Sequence, residues 1–312
     1  MPEDPHPFPS SVQGIIWKVD RNATHDGPGI RTALYFKGCA LRCRWCCNPE
    51  GQSGEPCLVF QRAECSDCRL CLDACPAHAV TRQGPATIHV DQSKCDQCGK
   101  CVSECPTEAL QICGQSYTAQ GLQRLLERDR ALHRRTGGGL TCTGGDPLYQ
   151  GKFLLKLLEE CRRAGIHTAV ETSAFASEEL FERILQLVDL LFIDLKHMDP
   201  GRHLEVTGKT NDLILSNLWR ASKILQSRRK DLYVRQVIVP GITDGINIEC
   251  LAEMAASLPF LSGVELLAYH PYGACKYELY GLAYSLKEAT QPTPRQMEDC
   301  KRVLREKKVR VI

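Results

Sequence analysis

Lys37-Gly38-Cys39-Ala40-Leu41-Arg42-Cys43-Arg44-Trp45-Cys46 follows directly on an apolar, strand-like run over 32–36. The three cysteines are spaced C-x3-C-x2-C. Thiolates this close can hold three irons of one 4Fe–4S cube, which leaves the fourth iron without a protein ligand. A cluster that only carries electrons has four cysteine ligands, so an open iron implies that a further molecule binds there. A frame starting at Cys43 and using Cys47 would need a cysteine at position 50, where Glu50 stands. Only the frame from Cys39 completes. A structural zinc or a group of core cysteines is the competing reading of such a triplet.

Further along, Cys65-x2-Cys68-x2-Cys71-x3-Cys75-Pro76 recurs as Cys95-x2-Cys98-x2-Cys101-x3-Cys105-Pro106. The tails repeat too, Pro76-Ala77-His78-Ala79-Val80 against Pro106-Thr107-Glu108-Ala109-Leu110. This is the bacterial two-cluster ferredoxin run, in which the fourth cysteine of each repeat ligates the other cluster. By that rule one cluster takes Cys65, Cys68, Cys71 and Cys105, and the other takes Cys95, Cys98, Cys101 and Cys75. A zinc ribbon also uses C-x2-C pairs but gives no reason for the repeated x3-Cys-Pro ending. Cys47, Cys57, Cys113, Cys142, Cys161, Cys250, Cys275 and Cys300 remain, most of them expected to act as small core hydrophobes.

Nineteen cysteines in 312 residues do not describe a secreted disulfide scaffold, which would be short. The tight spacing points to metal, hence to a reducing, cytoplasmic compartment. Cubes of iron and sulfide are oxygen-labile, so an anaerobic niche is expected. The net charge of +2, from 39 basic and 37 acidic residues, gives no argument for nucleic acid or an anionic membrane as partner. No apolar run approaches the ~18–20 residues of a membrane span. Residues 1–11 are rich in Pro and lack the basic and apolar regions of a secretory signal. Residues 1–13 are read as a mobile tail.

The rest of the chain alternates in strand and helix. Strands are expected at 32–36, 140–143, 167–171, 190–194, 232–239 and 264–267. Helices are expected at 118–135, 151–164, 177–188, 211–226, 248–257 and 294–308. Six β/α units argue for an α/β fold with a parallel sheet. The ferredoxin-like piece, 56–114, interrupts it between the first strand and the first helix, dividing the larger unit into 14–55 and 115–312. Sites in such folds gather at the C-terminal ends of the strands. Those ends read Thr143-Gly144-Gly145-Asp146-Pro147, Glu171-Thr172-Ser173, Asp194-Leu195-Lys196-His197, a strand carrying Arg235 and running to Pro240-Gly241, and Tyr269-His270-Pro271-Tyr272-Gly273. Asp, Gly and Pro also punctuate ordinary turns, and Gly241 and Asp244 fit that plainer reading equally well.

The triplet, with an aromatic before its third cysteine, resembles the signature of radical S-adenosylmethionine enzymes. The flanking His25-Asp26-Gly27-Pro28-Gly29-Ile30-Arg31-Thr32 and Asn48-Pro49-Glu50 resemble, more narrowly, the activating enzymes of glycyl radical enzymes. The resemblance implies a partial (β/α)6 barrel with an inserted bacterial ferredoxin-like domain. It implies three 4Fe–4S clusters and S-adenosylmethionine, whose amino and carboxylate groups chelate the open iron of the Cys39, Cys43 and Cys46 cluster. Reductive cleavage then yields a 5′-deoxyadenosyl radical that takes a hydrogen from a glycine Cα of a partner glycyl radical enzyme.

The resemblance also implies roles for the rim. Cys39, Cys43, Cys46 and Lys196 form the catalytic group. Trp45, Gly144, Gly145, Asp146, Glu171, Asp194, Lys196, Arg235 and His270 hold the cofactor. Asp26 touches the partner peptide, and a monovalent cation sits near Glu171, Thr172 and Asp194. The family's Gly-Gly-Glu appears here as Gly144-Gly145-Asp146. The two glycines are expected to let backbone approach the methionine end; the shorter acid either acts through its backbone with a nearly free side chain, the favoured expectation, or has a mouth tightened around it. The extra clusters are expected to relay electrons from a flavodoxin or ferredoxin. A radical enzyme acting on a small molecule or another protein site, and an electron carrier without catalysis, are the rival readings.

Overall fold

The computed structural model describes residues 12–312. The tail expected over 1–13 therefore lies outside the described residues, except for its last two. The described chain opens with β1 (Gln13–Ala23), antiparallel to β2 (Arg31–Phe36). A small unit follows: β3 (Cys57–Phe60), α1 (Leu70–Asp73), the hairpin β4 (Val80–Gly84) and β5 (Thr87–Val90), α2 (Lys100–Ser103) and β6 (Leu110–Cys113). The chain rejoins the large sheet with β7 (Gln115–Thr118) and then alternates. It passes through α3 (Ala119–Thr136), β8 (Gly139–Gly144), α4 (Gly151–Arg163), β9 (Thr168–Thr172), α5 (Glu178–Leu185) and β10 (Leu190–Asp194). It continues through α6 (Pro200–Thr207), α7 (Asp212–Arg228), β11 (Asp231–Ile238), α8 (Ile246–Ser257), β12 (Gly263–Ala268), α9 (Ala274–Leu279) and α10 (Pro294–Glu306).

The large sheet has the order β12-β11-β10-β9-β8-β2-β1-β7. Its six members from β2 to β12 are parallel, the partial barrel of β/α units, and β1 and β7 close one edge antiparallel. The parallel strands read as apolar runs because helices cover them: Leu190, Leu191, Phe192 and Ile193 of β10 are all buried. The helices supply the complementary stripe. Phe153, Leu154, Leu157, Leu158 and Cys161 of α4 are buried in the main core, each large side chain contributing roughly 1.5–3 kcal/mol.

The sequence reading omits β1, β7, α6 and α9. Strand β1, next to the short edge strand β7, carries Lys18, Asp20, Arg21 and Asn22 in partly or fully exposed positions, which hides its period-two pattern. The short α6 had a readable start: Asp199 caps it, its carboxylate accepting from Arg202 N at 2.7 Å, with Pro200 following. Cys142, Cys161 and Cys300 are core residues as expected, whereas Cys250 and Cys275 are exposed. Among the described residues no helix is long and apolar enough to cross a membrane.

Candidate active site

The C-terminal ends of the parallel strands surround a cavity of about 520 Å³. Cys39, Cys43, Trp45 and Cys46 form one wall, and Gly144, Gly145, Asp146, Glu171, Asp194, Lys196, Arg235 and His270 line the rest, with Asp26 among them. Every rim residue given a catalytic, cofactor or partner role reaches this one space, whereas His197, Gly241 and Tyr272 from the same strand ends do not line it. Among the described residues no three His, Cys, Asp or Glu side chains converge on the position of a single metal ion. The loop 37–47 is fixed by α6, because Arg42 N and Arg44 N donate to Thr207 O and Val206 O at 2.7 and 3.0 Å. The indole of Trp45 is buried among Val206, Val239, Tyr269 and Tyr277, so it seals the loop from water as well as bordering the cavity.

Gly144 and Gly145 have a reason the sequence did not reveal. A Cβ on Gly145 would lie 2.3 Å from Gly51 O and 2.4 Å from Gly38 O, and one on Gly144 would lie 2.5 Å from Phe36 N. The glycines let β8 end against the cysteine loop itself. Gly145 N donates to Phe36 O and Asp146 N to Gly38 O, both at 2.8 Å. The expectation of a nearly free Asp146 side chain is wrong. Its carboxylate is buried and accepts from Leu148 N at 3.0 Å, Thr172 Oγ1 at 2.7 Å, Ser173 N at 3.0 Å and Ser173 Oγ at 2.5 Å. It caps the turn at 147–150 and ties the end of β8 to the end of β9. Burial pushes this carboxyl above its ordinary range, against the pull of those donors.

The charges on the rim are paired. Arg235 lies between Glu171 and Glu265, its Nη1 and Nε each 2.5 Å from a carboxylate oxygen, with its guanidinium carbon 3.7 Å from the Phe192 ring centroid. Thr143 Oγ1 donates to the other oxygen of Glu171 at 2.7 Å. Burial pushes Glu171 up to about 7, and Arg235 opposes that rise. Lys196 Nζ lies 3.1 Å from Asp194 Oδ2. Burial works against the ammonium, but Asp194 and the neighbouring Cys43 hold Lys196 above its ordinary value. Asp26 is raised by burial. His270 stacks on Tyr272 at 4.7 Å, and its Nδ1 is buried with no protein partner. That orphaned nitrogen fits a cavity built for a polar ligand.

Sequence reasoning missed Thr141, and it quoted Arg31 and Ser173 within motifs without giving either a role. Arg31 is fully buried and donates to Thr141 Oγ1 at 2.6 Å, Leu140 O at 2.5 Å and Pro28 O at 3.2 Å. Thr141 Oγ1 in turn donates to Asp26 O at 2.7 Å. These bonds carry the 24–30 loop to the cavity. The signal was an arginine opening an otherwise apolar strand.

In the small unit, Cys65, Cys68, Cys71 and Cys105 line one pocket, so the fourth comes from the other repeat. Cys101 has Cys75, Cys95 and Cys98 as its sulfur neighbours.

The family model described as a 4Fe-4S single cluster domain matches residues 25–215. The chain is 36% identical over 292 residues to the trans-4-hydroxy-L-proline dehydratase activating enzyme of Clostridioides difficile, covering 93% of this chain and 95% of that one. It is 36% identical over 283 residues to the choline trimethylamine-lyase activating enzyme of Oleidesulfovibrio alaskensis, covering 88% and 89%. Among solved structures, Streptococcus suis SuiB bound to the precursor peptide SuiA shares the fold, at 12% identity with a TM-score of 0.53 over 89% of this chain and 47% of that one. The cysteine triplet, the Asp-Gly-Pro-Gly loop beside it and near full-length similarity to activating enzymes agree: the chain belongs to the radical S-adenosylmethionine family of glycyl radical enzyme activating enzymes.

Proposed function

We propose that the 520 Å³ cavity is where this activase holds S-adenosylmethionine against the cluster of Cys39, Cys43 and Cys46, with Asp26 facing the glycine loop of the partner. The single observation that carries the reading is the convergence of that triplet and five strand ends on one space. When bound and given one electron, the cluster and S-adenosylmethionine supply methionine and a 5′-deoxyadenosyl radical, which takes hydrogen from a glycine Cα.

The chain's own residues prepare for that chemistry. Asp194 supplies negative charge for a sulfonium, with the Lys196 ammonium 3.1 Å from its carboxylate. Glu171 offers a carboxylate to an amino group, braced by Arg235. His270 Nδ1 offers a hydrogen bond to a polar edge of the ligand. Trp45 excludes water on the cluster side. Glu171, Thr172 and Asp194 present oxygens of the kind a monovalent cation binds. The 57–113 unit carries two further 4Fe–4S clusters, on the two sulfur sets given above, and passes electrons inward from a flavodoxin or ferredoxin in the cytoplasm. The partner is a glycyl radical enzyme; the relatives are named for dehydratases, decarboxylases and lyases.

Anaerobically reconstituted protein is expected to hold about twelve irons, four per cluster. Replacing Cys39, Cys43 and Cys46 with Ala is expected to leave about eight and abolish cleavage of S-adenosylmethionine. A triple variant that still cleaves the cofactor sinks the assignment.

A further inference from the structure

Two cysteines belong to neither the catalytic triplet nor the ferredoxin-like run, yet they face each other. Cys57 opens β3 and Cys113 closes β6, and they are direct cross-strand partners. Each thiol is the other's neighbour, and the Tyr280 hydroxyl lies beside Cys113. The ammonium of Lys37, itself fully buried, lies 3.6 Å from Cys57 Sγ. Both cysteines are partly exposed. Gly114, the single residue between Cys113 and β7, is packed tightly: a Cβ there would come 2.7 Å from Lys37 Cδ.

Directly opposed residues on antiparallel strands have Cβ atoms about 4.5–5.5 Å apart. A disulfide needs about 3.5–4.5 Å, so closure asks for a shift on the order of 1 Å. A cation beside a thiol favours the reactive thiolate. We propose that Cys57 and Cys113 are a reversible dithiol–disulfide pair at the neck of the cluster-bearing unit, oxidised by low-molecular-weight disulfides such as glutathione disulfide. The Cys113 thiolate attacks the disulfide, forming a mixed disulfide and releasing one thiol. Cys57 then attacks the mixed disulfide and releases the second thiol. Two protein thiols are oxidised, one external disulfide is reduced to two thiols, and no other co-reactant is consumed. The neighbouring Cys57 thiol and Tyr280 hydroxyl, with Lys37 nearby, lower Cys113 while Cys57 is raised, consistent with Cys113 as the attacking sulfur. The bond closes a loop that contains all eight cysteines of the ferredoxin-like run and lies against Lys37, two residues before Cys39.

The test uses the full chain with its clusters, held anaerobically with excess glutathione disulfide. Free thiols are alkylated before denaturation, the protein is digested and the peptides are read by mass spectrometry, with iron assayed in parallel. More than half of the Cys57 and Cys113 peptides are expected as one disulfide-linked pair at unchanged iron content, with both thiols restored by dithiothreitol. C57S is expected to lose the pair and leave glutathione on Cys113. Recovery of both residues as alkylated thiols or separate glutathione adducts overturns the proposal. So does a cross-link that forms only after iron is lost, or a C57S protein in which Cys113 pairs with another cysteine.

Discussion

Asp146→Glu and Asp146→Ala test whether this acid is a brace or a bystander. The carboxylate accepts four hydrogen bonds in a buried setting. Bonds to a charged group contribute about 1.5–3 kcal/mol each and do not add. Removing the acceptor leaves buried N–H and hydroxyl donors unpaired at about 1–3 kcal/mol per unsatisfied group, and Asp146→Ala, with several such donors, is placed at about 3–5 kcal/mol. Asp146→Glu keeps the charge but inserts a methylene where Leu148, Thr172 and Ser173 already close around the group, an overpacking cost of about 1–3 kcal/mol. At about 2–4 °C per kcal/mol for large domains, the apparent Tm falls roughly 2–12 °C for Glu and roughly 6–20 °C for Ala. The displacement is passed on, because Asp146 N and Gly145 N hold the cysteine loop through Gly38 O and Phe36 O. S-adenosylmethionine affinity is therefore expected to fall more than tenfold in Asp146→Glu, above about 1.4 kcal/mol. The assay is anaerobic thermal unfolding at fixed scan rate, with cofactor binding read from the spectrum of the first cluster at matched iron content. Asp146→Glu protein with unchanged Tm and unchanged affinity refutes the brace.

Gly145→Ala is expected to abolish cluster assembly on the triplet, since its Cβ would strike the backbone of Gly38 and Gly51; an iron count equal to that of the native protein contradicts this. Glu171 is pushed from about 4.5 up to about 7. The native protein thus keeps a proton the unfolded chain has lost, so this group's stabilisation is full below about pH 4.5 and is lost as pH rises through 7. Glu171→Gln should flatten the stability profile between those values, and an unchanged profile speaks against the shift. Arg31→Met leaves Leu140 O and Pro28 O without their donor and should cost about 3 kcal/mol, with faster hydrogen exchange at 24–30; exchange unchanged there shows that the loop does not depend on Arg31.

Cysteine spacing announces the chemistry because metal coordination is local along the chain: C-x3-C-x2-C and the doubled ferredoxin run state their ligand sets without a fold. The parallel β/α rhythm was equally legible, because strands buried on both faces must be apolar throughout, as 190–193 are. The antiparallel strands β1 and β7 were not legible, since a partly exposed strand with a bulged register mixes Lys18, Asp20 and Arg21 into its pattern. Side-chain partnership across strands was beyond reach as well. Nothing in the order of residues says that Asp146 meets Thr172 and Ser173, that Arg235 lies between Glu171 and Glu265, or that Cys57 faces Cys113. Those pairings depend on strand register and on which backbones approach closely enough to exclude a Cβ, as Gly38, Gly51 and Gly145 do. The chain alone determined which atoms the protein brings to its chemistry; the tertiary structure decided which carboxylates are free to meet a ligand and which are spent holding the site, because hydrogen bonding inside a buried space is settled by distance and not by sequence.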